Sequence, residues 1–173
     1  MKFSVLFLIT VSVTGINCSD SRKQPAGLPE NVIKEPLIRA NRQLAHDESL
    51  QIDNYISRRG LQMQKTGTGL RYMISKPGNG KAAAPGMNAT VNFTLSLLDG
   101  TICYSSDSTG AETFTIDHDQ VESGLHEGVK LLREGDRAKF ILPSHLAHGL
   151  LGDNNKIPPR SPVVYDIQLL ELK

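Results

Sequence analysis

The chain contains no tryptophan, and its aromatic content rests on four tyrosines and five phenylalanines. Any apolar binding site must therefore draw on a very small set of rings, so the position of each one matters. Charge of one sign is also missing. The 19 Lys+Arg stand against 18 Asp+Glu, giving a formal net charge of +1. That balance excludes the electrostatic footprint by which proteins hold a nucleic-acid backbone. Only two cysteines occur, Cys18 and Cys103, which rules out a disulfide-built scaffold. No apolar run reaches the length needed to span a bilayer as a helix, and the longest, Phe3 to Ile16, falls short of it.

That run nevertheless has the form of an export signal. Met1-Lys2 supplies a positive start, the apolar stretch follows, and Cys18 comes immediately after. The tetrapeptide Gly15-Ile16-Asn17-Cys18 resembles the lipobox of bacterial lipoproteins, which implies cleavage after residue 17 and a lipid on Cys18. The alternative is an ordinary secreted chain with an unmodified thiol. Under the lipid reading Cys103 has no partner for an intramolecular disulfide. Residues 18–34, with Pro25, Gly27 and Pro29, have the composition of a tether holding a domain away from a membrane.

From Glu35 to Gly60 the pattern is helical, with Leu37, Ile38, Leu44, Ile52, Tyr55 and Ile56 spaced mostly by three or four and Gly60 as the stop signal. This narrow stripe either pairs with a second copy, giving a homodimer, or packs on its own domain. After Gly67 the period changes to two. Strands are predicted at Leu70–Ile74, Thr90–Leu98, Thr101–Tyr104, Glu112–Ile116, Ala138–Leu142 and Val163–Leu172, with one short helix at Gly124–Leu132. Asp99-Gly100 predicts a type I′ hairpin turn. Several antiparallel strands covered by one helix describe an α+β domain.

The motifs in this region are GLRYMISKPGNG, PGMNATVNFTLSLLDG, YSS, GLHEGVKLLREGDRAKFILP, AHG, IPP and VVYDIQLLEL. In this order and spacing the segment 67–173 resembles the FKBP-type peptidyl-prolyl isomerases. The resemblance implies a twisted antiparallel sheet wrapped around one short α-helix, preceded here by the N-terminal helix. It also implies a shallow apolar pocket that receives the proline of an X-Pro bond. The leader, together with PLIRANRQL and IDNYISRRG, is similar to the gliding-motility-associated prolyl isomerase lipoproteins of gram-negative bacteria. That likeness implies a lipid-anchored, periplasm-facing protein of the cell envelope.

Carried over position by position, the resemblance places Phe93, Phe114, Val121, Leu125, Ile157 and Tyr165 around the proline ring, with Ile157 held over it by a loop stiffened by Pro158-Pro159. Four positions depart from the family pattern. Cys103 and Tyr104 stand where a Phe and an Asp are usual, His148 replaces a loop tyrosine, and Glu122 replaces an aliphatic residue. The implied chemistry needs no cofactor, no metal and no side-chain acid or base, because rotating a prolyl amide requires only that its twisted form be held better than its planar one. A His-x-x-His pair, His145 and His148, with His118 or His126 nearby, is a weak metal signal. The expected partners are proline-containing polypeptides, with no nucleic acid. Two functions fit: a working isomerase of envelope proteins, or a non-catalytic peptide-binding module or chaperone using the same groove.

Overall fold

A computed structural model describes residues 30–173, with side chains from residue 34 onward. The predicted signal segment, Cys18 and most of the tether lie outside the described residues. Among the described residues every strand lies in the compact unit 39–173.

Helix α1 runs Glu30–Arg58 and ends at Gly60, whose φ of +61° closes it as expected. It starts earlier than Glu35, so the last part of the predicted tether is helical. The reason lies in the sequence: Glu30 follows Pro29, and an acidic residue just after a proline is a good helix start. The helix tolerates Pro36 near its beginning. Its apolar positions divide in two. Leu37, Ile38, Leu44 and Leu50 are exposed, whereas Ile52 and Tyr55 are buried against Ile141 and Val164 of the domain. Full burial of a residue such as Ile52 stabilises the fold by about 2 kcal/mol, so the C-terminal half of the helix packs on its own domain.

The domain is one antiparallel sheet built from β1 (Gln64–Lys65), β2 (Arg71–Lys76), β3 (Asn88–Leu97), β4 (Ile102–Ser105), β5 (Glu112–Thr115), β6 (Arg137–Leu142) and β7 (Val163–Leu172). Its order is β1-β2-β6-β7-β3-β4, with β5 also paired to β3. β3 is the organising strand. It pairs along its length with β7, at its start with β5 and at its end with β4. The period-two pattern decides the faces. Val91, Phe93, Leu95 and Leu97 face inward, opposite Leu169, Ile167, Tyr165 and Val163 of β7, while the neighbouring Ile141 and Val164 point outward to α1.

The β3–β4 connection corrects one expectation. Gly100 has φ +96°, but Asp99 is not in the left-handed region, so the turn is not type I′. Gly100 N–H donates to the Leu97 carbonyl, Leu97 N–H to the Thr101 carbonyl, and Thr101 N–H to Asp99 Oδ1, which is a three-residue loop with glycine in the bulge position. A short helix that the sequence pattern did not show, α2 (Ser106–Thr109), follows β4 and is capped by the Ser105 hydroxyl.

Helix α3 (Ser123–Val129) lies across the inner face. It approaches the sheet very closely because Gly124 and Gly128 face it. A Cβ on Gly128 would meet the Phe140 ring at 2.6 Å, and one on Gly124 would meet Leu142 at 2.6 Å. Two glycines one turn apart thus set the helix-to-sheet distance, and with it the depth of the space beside Leu125 and Val129.

Candidate functional site

Beside α3 the inner face opens into a cavity of about 430 Å³, a size suited to a small ring and its flanking peptide. β3 supplies Val91, Phe93 and Leu95 to its wall, β5 supplies Phe114, α3 supplies Leu125, and β7 supplies Tyr165 and Ile167. These residues meet because each lies on the inward parity of its own strand: Phe93 pairs in register with Ile167 and Leu95 with Tyr165. The Phe93 and Tyr165 rings are 5.7 Å apart at 52°, and Phe114 meets His126 edge-on at 5.7 Å. In a chain with no tryptophan, two phenylalanines and two tyrosines, Tyr104 being the second, are gathered around one space.

Of the residues singled out in the sequence, Phe93, Cys103, Tyr104, Phe114, Val121, Glu122, Leu125, His148 and Tyr165 all line the cavity. Ile157 does not. It is 2% exposed and belongs to the core. Asp153 is the cause. Its Oδ1 accepts the Ile157 backbone N–H at 2.7 Å and the Asn155 N–H at 2.9 Å, folding the loop so that Ile157 turns inward and Lys156 turns to the cavity. Lys156, Glu112 and Ile102 therefore line the site without having been signalled by the family motif. Lys156 sits one position from the motif isoleucine, and only the loop's turn reveals which of the two faces the cavity.

The replacements make their own hydrogen-bonded rim. Tyr104 Oη donates to Asp153 Oδ2, Asn155 Nδ2 donates to Tyr104 Oη at 3.3 Å, and Lys156 Nζ donates to the Cys103 carbonyl at 2.8 Å. The Lys156 ammonium also sits 5.0 Å from the Tyr104 ring centre. β4 and the loop after His148 are thus joined by side chains standing where the family pattern has Phe and Asp. Desolvation works to raise the Asp153 pKa, but the hydrogen bonds from Tyr104, Ile157 and Asn155 and the nearby His148 outweigh it and hold the carboxyl at about 2. The bond to Asp153, followed by desolvation, raises the Tyr104 phenol. Burial, followed by the charge of Asp153, raises the Cys103 thiol, so the site offers no thiolate nucleophile.

A second polar group closes the other side. Tyr165 Oη donates to Glu122 Oε1 at 3.0 Å, and His148 Nε2 lies 2.9 Å from the same oxygen. The His148 approach lies outside the ring nitrogen's hydrogen-bonding direction, so the contact becomes an ion pair when the imidazole is protonated and leaves Nε2 without a directional partner otherwise. Burial, then the charge and hydrogen bond of Glu122, raises the Tyr165 phenol well above its usual range. Two of the other histidines are engaged separately. His145 Nε2 is 3.1 Å from the Thr68 carbonyl, while His126 Nδ1 accepts the Asp117 N–H at 3.0 Å. Among the described residues no group of three or more His, Cys, Asp or Glu side chains forms a metal-binding cluster.

A largely apolar recess lined by aromatic rings, with polar groups on its wall and rim, can receive a compact apolar moiety of a polypeptide. Comparison with known proteins agrees with that geometry. Residues 79–170 match the family model described as FKBP-type peptidyl-prolyl cis-trans isomerase. The chain is 38% identical over 110 residues to the probable FKBP-type peptidyl-prolyl cis-trans isomerase FkpA of Neisseria meningitidis, covering 64% of this chain and 40% of that one. It is 37% identical over 110 residues to the macrophage infectivity potentiator of Trypanosoma cruzi, covering 63% of this chain and 56% of that one. This chain thus spans well under two thirds of the length of either relative. The crystal structure of Escherichia coli FkpA superposes with a TM-score of 0.65 at 27% identity, over 85% of this chain and 74% of that one. The match of residues 79–170 to the family model, with the shared fold, places this chain in the FKBP-type peptidyl-prolyl cis-trans isomerase family.

Proposed function

We propose that this protein is a peptidyl-prolyl cis-trans isomerase whose catalytic surface is the cavity formed by Phe93, Phe114, Leu125 and Tyr165. The observation that supports this reading is the convergence of those four side chains, from three strands and a helix, on one recess of about 430 Å³ within the family-matched segment. An X-Pro bond resists rotation by about 20 kcal/mol because its amide is conjugated. In the twisted state the conjugation is lost, so an apolar recess that grips the ring and a few donors that favour the twisted carbonyl lower the barrier without any covalent step. This reading assigns the donor role to His148 and to the backbone N–H of Glu122.

The finer parts of the proposal rest on the sequence. The export-type leader and the lipobox-like Gly15-Ile16-Asn17-Cys18 support a lipid-anchored, periplasm-facing protein acting on X-Pro bonds of envelope polypeptides. Domain limits of 1–17 for the signal, a tether from 18, the helix, and 67–173 for the isomerase domain follow from the same reading. The segments PLIRANRQL and IDNYISRRG support a role with gliding-motility components, and the exposed Leu37, Ile38 and Leu44 support pairing of two copies through α1.

A second reading, a non-catalytic holder of extended chains, is favoured by one observation. Tyr104 is committed to Asp153, so the family's usual acidic group is replaced by a side chain already engaged in the rim. One experiment separates the two: the cis–trans exchange rate of short X-Pro peptides measured by NMR with the full chain and with Phe93→Ala. A rate gain lost in the variant supports the isomerase. Peptide binding without any rate gain removes the enzyme reading in favour of the holder.

A further inference from the structure

Glu122 puts a carboxylate on the wall of a cavity that is otherwise largely apolar, and its side chain is only 14% exposed. Both of its protein contacts, from the Tyr165 hydroxyl and from His148 Nε2, fall on Oε1. Oε2 has no hydrogen-bond partner among the described residues. A second carboxylate, Glu112 on β5, stands exposed on the same wall, and its charge reaches the Tyr165 hydroxyl.

The opposite sign is already engaged. Lys156, the lysine on the wall, donates to the Cys103 carbonyl at 2.8 Å and sits over the Tyr104 ring. The nearby Asp153 is engaged too, by Tyr104 and two backbone N–H groups. What the cavity offers an incoming peptide is therefore an apolar recess bordered by Glu122, whose Oε1 meets Tyr165 and His148 and whose Oε2 has no hydrogen-bond partner among the described residues, and by the exposed Glu112.

A partly desolvated carboxylate with one oxygen unpartnered is improved by a cation and worsened by a second anion. Lys and Arg fit such a place well, because their aliphatic stems lie along apolar surface while the charged end reaches a carboxylate. We propose that the cavity selects polypeptide segments carrying a Lys or Arg immediately beside the proline, with Glu122 as the main specificity-determining residue and Glu112 assisting. The inference deepens the isomerase reading and rests on it for the proline itself.

The test uses the full chain and two sets of short peptides, one varying the residue before proline and the other the residue after it, each as Lys, Leu or Glu. kcat/KM is read by NMR exchange at low and high salt. In one of the two sets, Lys peptides exceed Glu peptides by about fivefold or more at low salt, and the ratio shrinks in high salt. Glu122→Gln brings the Lys-to-Glu ratio towards one whatever it does to the absolute rate, and the exposed Glu112→Gln lowers it by a smaller factor. A ratio near one in both sets, with the Leu peptides turned over, overturns the proposal and leaves the isomerase reading standing. So does a ratio that survives both substitutions. If no peptide is turned over, the isomerase reading fails instead, and the same Lys-to-Glu comparison is read as a ratio of dissociation constants, where equality overturns the proposal.

Discussion

Glu48 of α1 holds Ser144 twice: the Ser144 hydroxyl donates to Glu48 Oε2 at 2.7 Å, and the Ser144 backbone N–H donates to Oε1. Both residues are buried, Glu48 at 9% exposure and Ser144 at 6%. The pair ties α1 to the short 3-10 turn Ser144–Leu146, which leads directly to His148 at the cavity. Replacing Glu48 with Ala leaves two buried donors unpaired, at a cost of about 3 kcal/mol. We expect urea unfolding of Glu48→Ala to show that loss and Glu48→Gln to show less of it. An unchanged midpoint for Glu48→Ala would mean that the contact contributes nothing.

Tyr104 and Asp153 define the rim on the other side. Removing only the phenol oxygen, in Tyr104→Phe, leaves Asp153 Oδ1 with its two backbone donors and frees Oδ2. Amide exchange at Asn155 and Ile157 is expected to speed up while exchange in β3 and β7 stays as it was. The affinity for X-Pro peptides is expected to fall with little change in kcat, because the loop is positioned less firmly while the apolar recess stays intact.

Stability should depend on pH at both ends of the scale. Asp153 has a folded value of about 2 against the usual 3.8, so its contribution is fully present above about pH 4 and is lost as pH falls towards 2. Asp153→Asn should flatten that acid limb. Tyr165 is raised well above 10 in the folded state, so its contribution is present below pH 10 and fades as pH rises beyond it. Tyr165→Phe should reduce the alkaline loss. Thermal unfolding followed from pH 2 to 11 checks both limbs, and identical profiles for parent and variants would refute the assignment.

Gly128→Ala tests the packing that sets the depth of the cavity. Alanine is the better helix former by about 1 kcal/mol, so on propensity alone the change stabilises. The 2.6 Å approach of its Cβ to Phe140 predicts the opposite, a net loss of about 2 kcal/mol from overpacking. Thermal melting decides the sign.

Much of the fold was legible in the residues because burial on one face leaves a period of two or of about 3.6. The inward set of β3 and the helix around Leu125 and Val129 could be read that way. The aromatic part of the site was suggested by the family motif, and Phe93, Phe114 and Tyr165 line one cavity. Legibility failed where contacts distant in sequence decide a local conformation. Ile157 and Lys156 are adjacent and both occur in a loop without periodicity, so nothing local says which turns inward. The hydrogen bonds within the loop and the reach of Lys156 to the Cys103 carbonyl decide it. The hairpin at Asp99-Gly100 is a similar case, since both turn types accept that dipeptide and the β3–β4 register selects between them.

By itself, then, the sequence determined the family, the strand order along the chain and the small set of rings available to the site, because these depend on residue type, order and spacing. Only the tertiary structure decided that Glu122 meets Tyr165 and His148, that Tyr104 turns to Asp153, and that Glu48 anchors the turn before the cavity. Those contacts join residues from 26 to 96 positions apart. A polar side chain on an irregular segment carries no periodic signal of its partner, which is set by the packing of the elements between them.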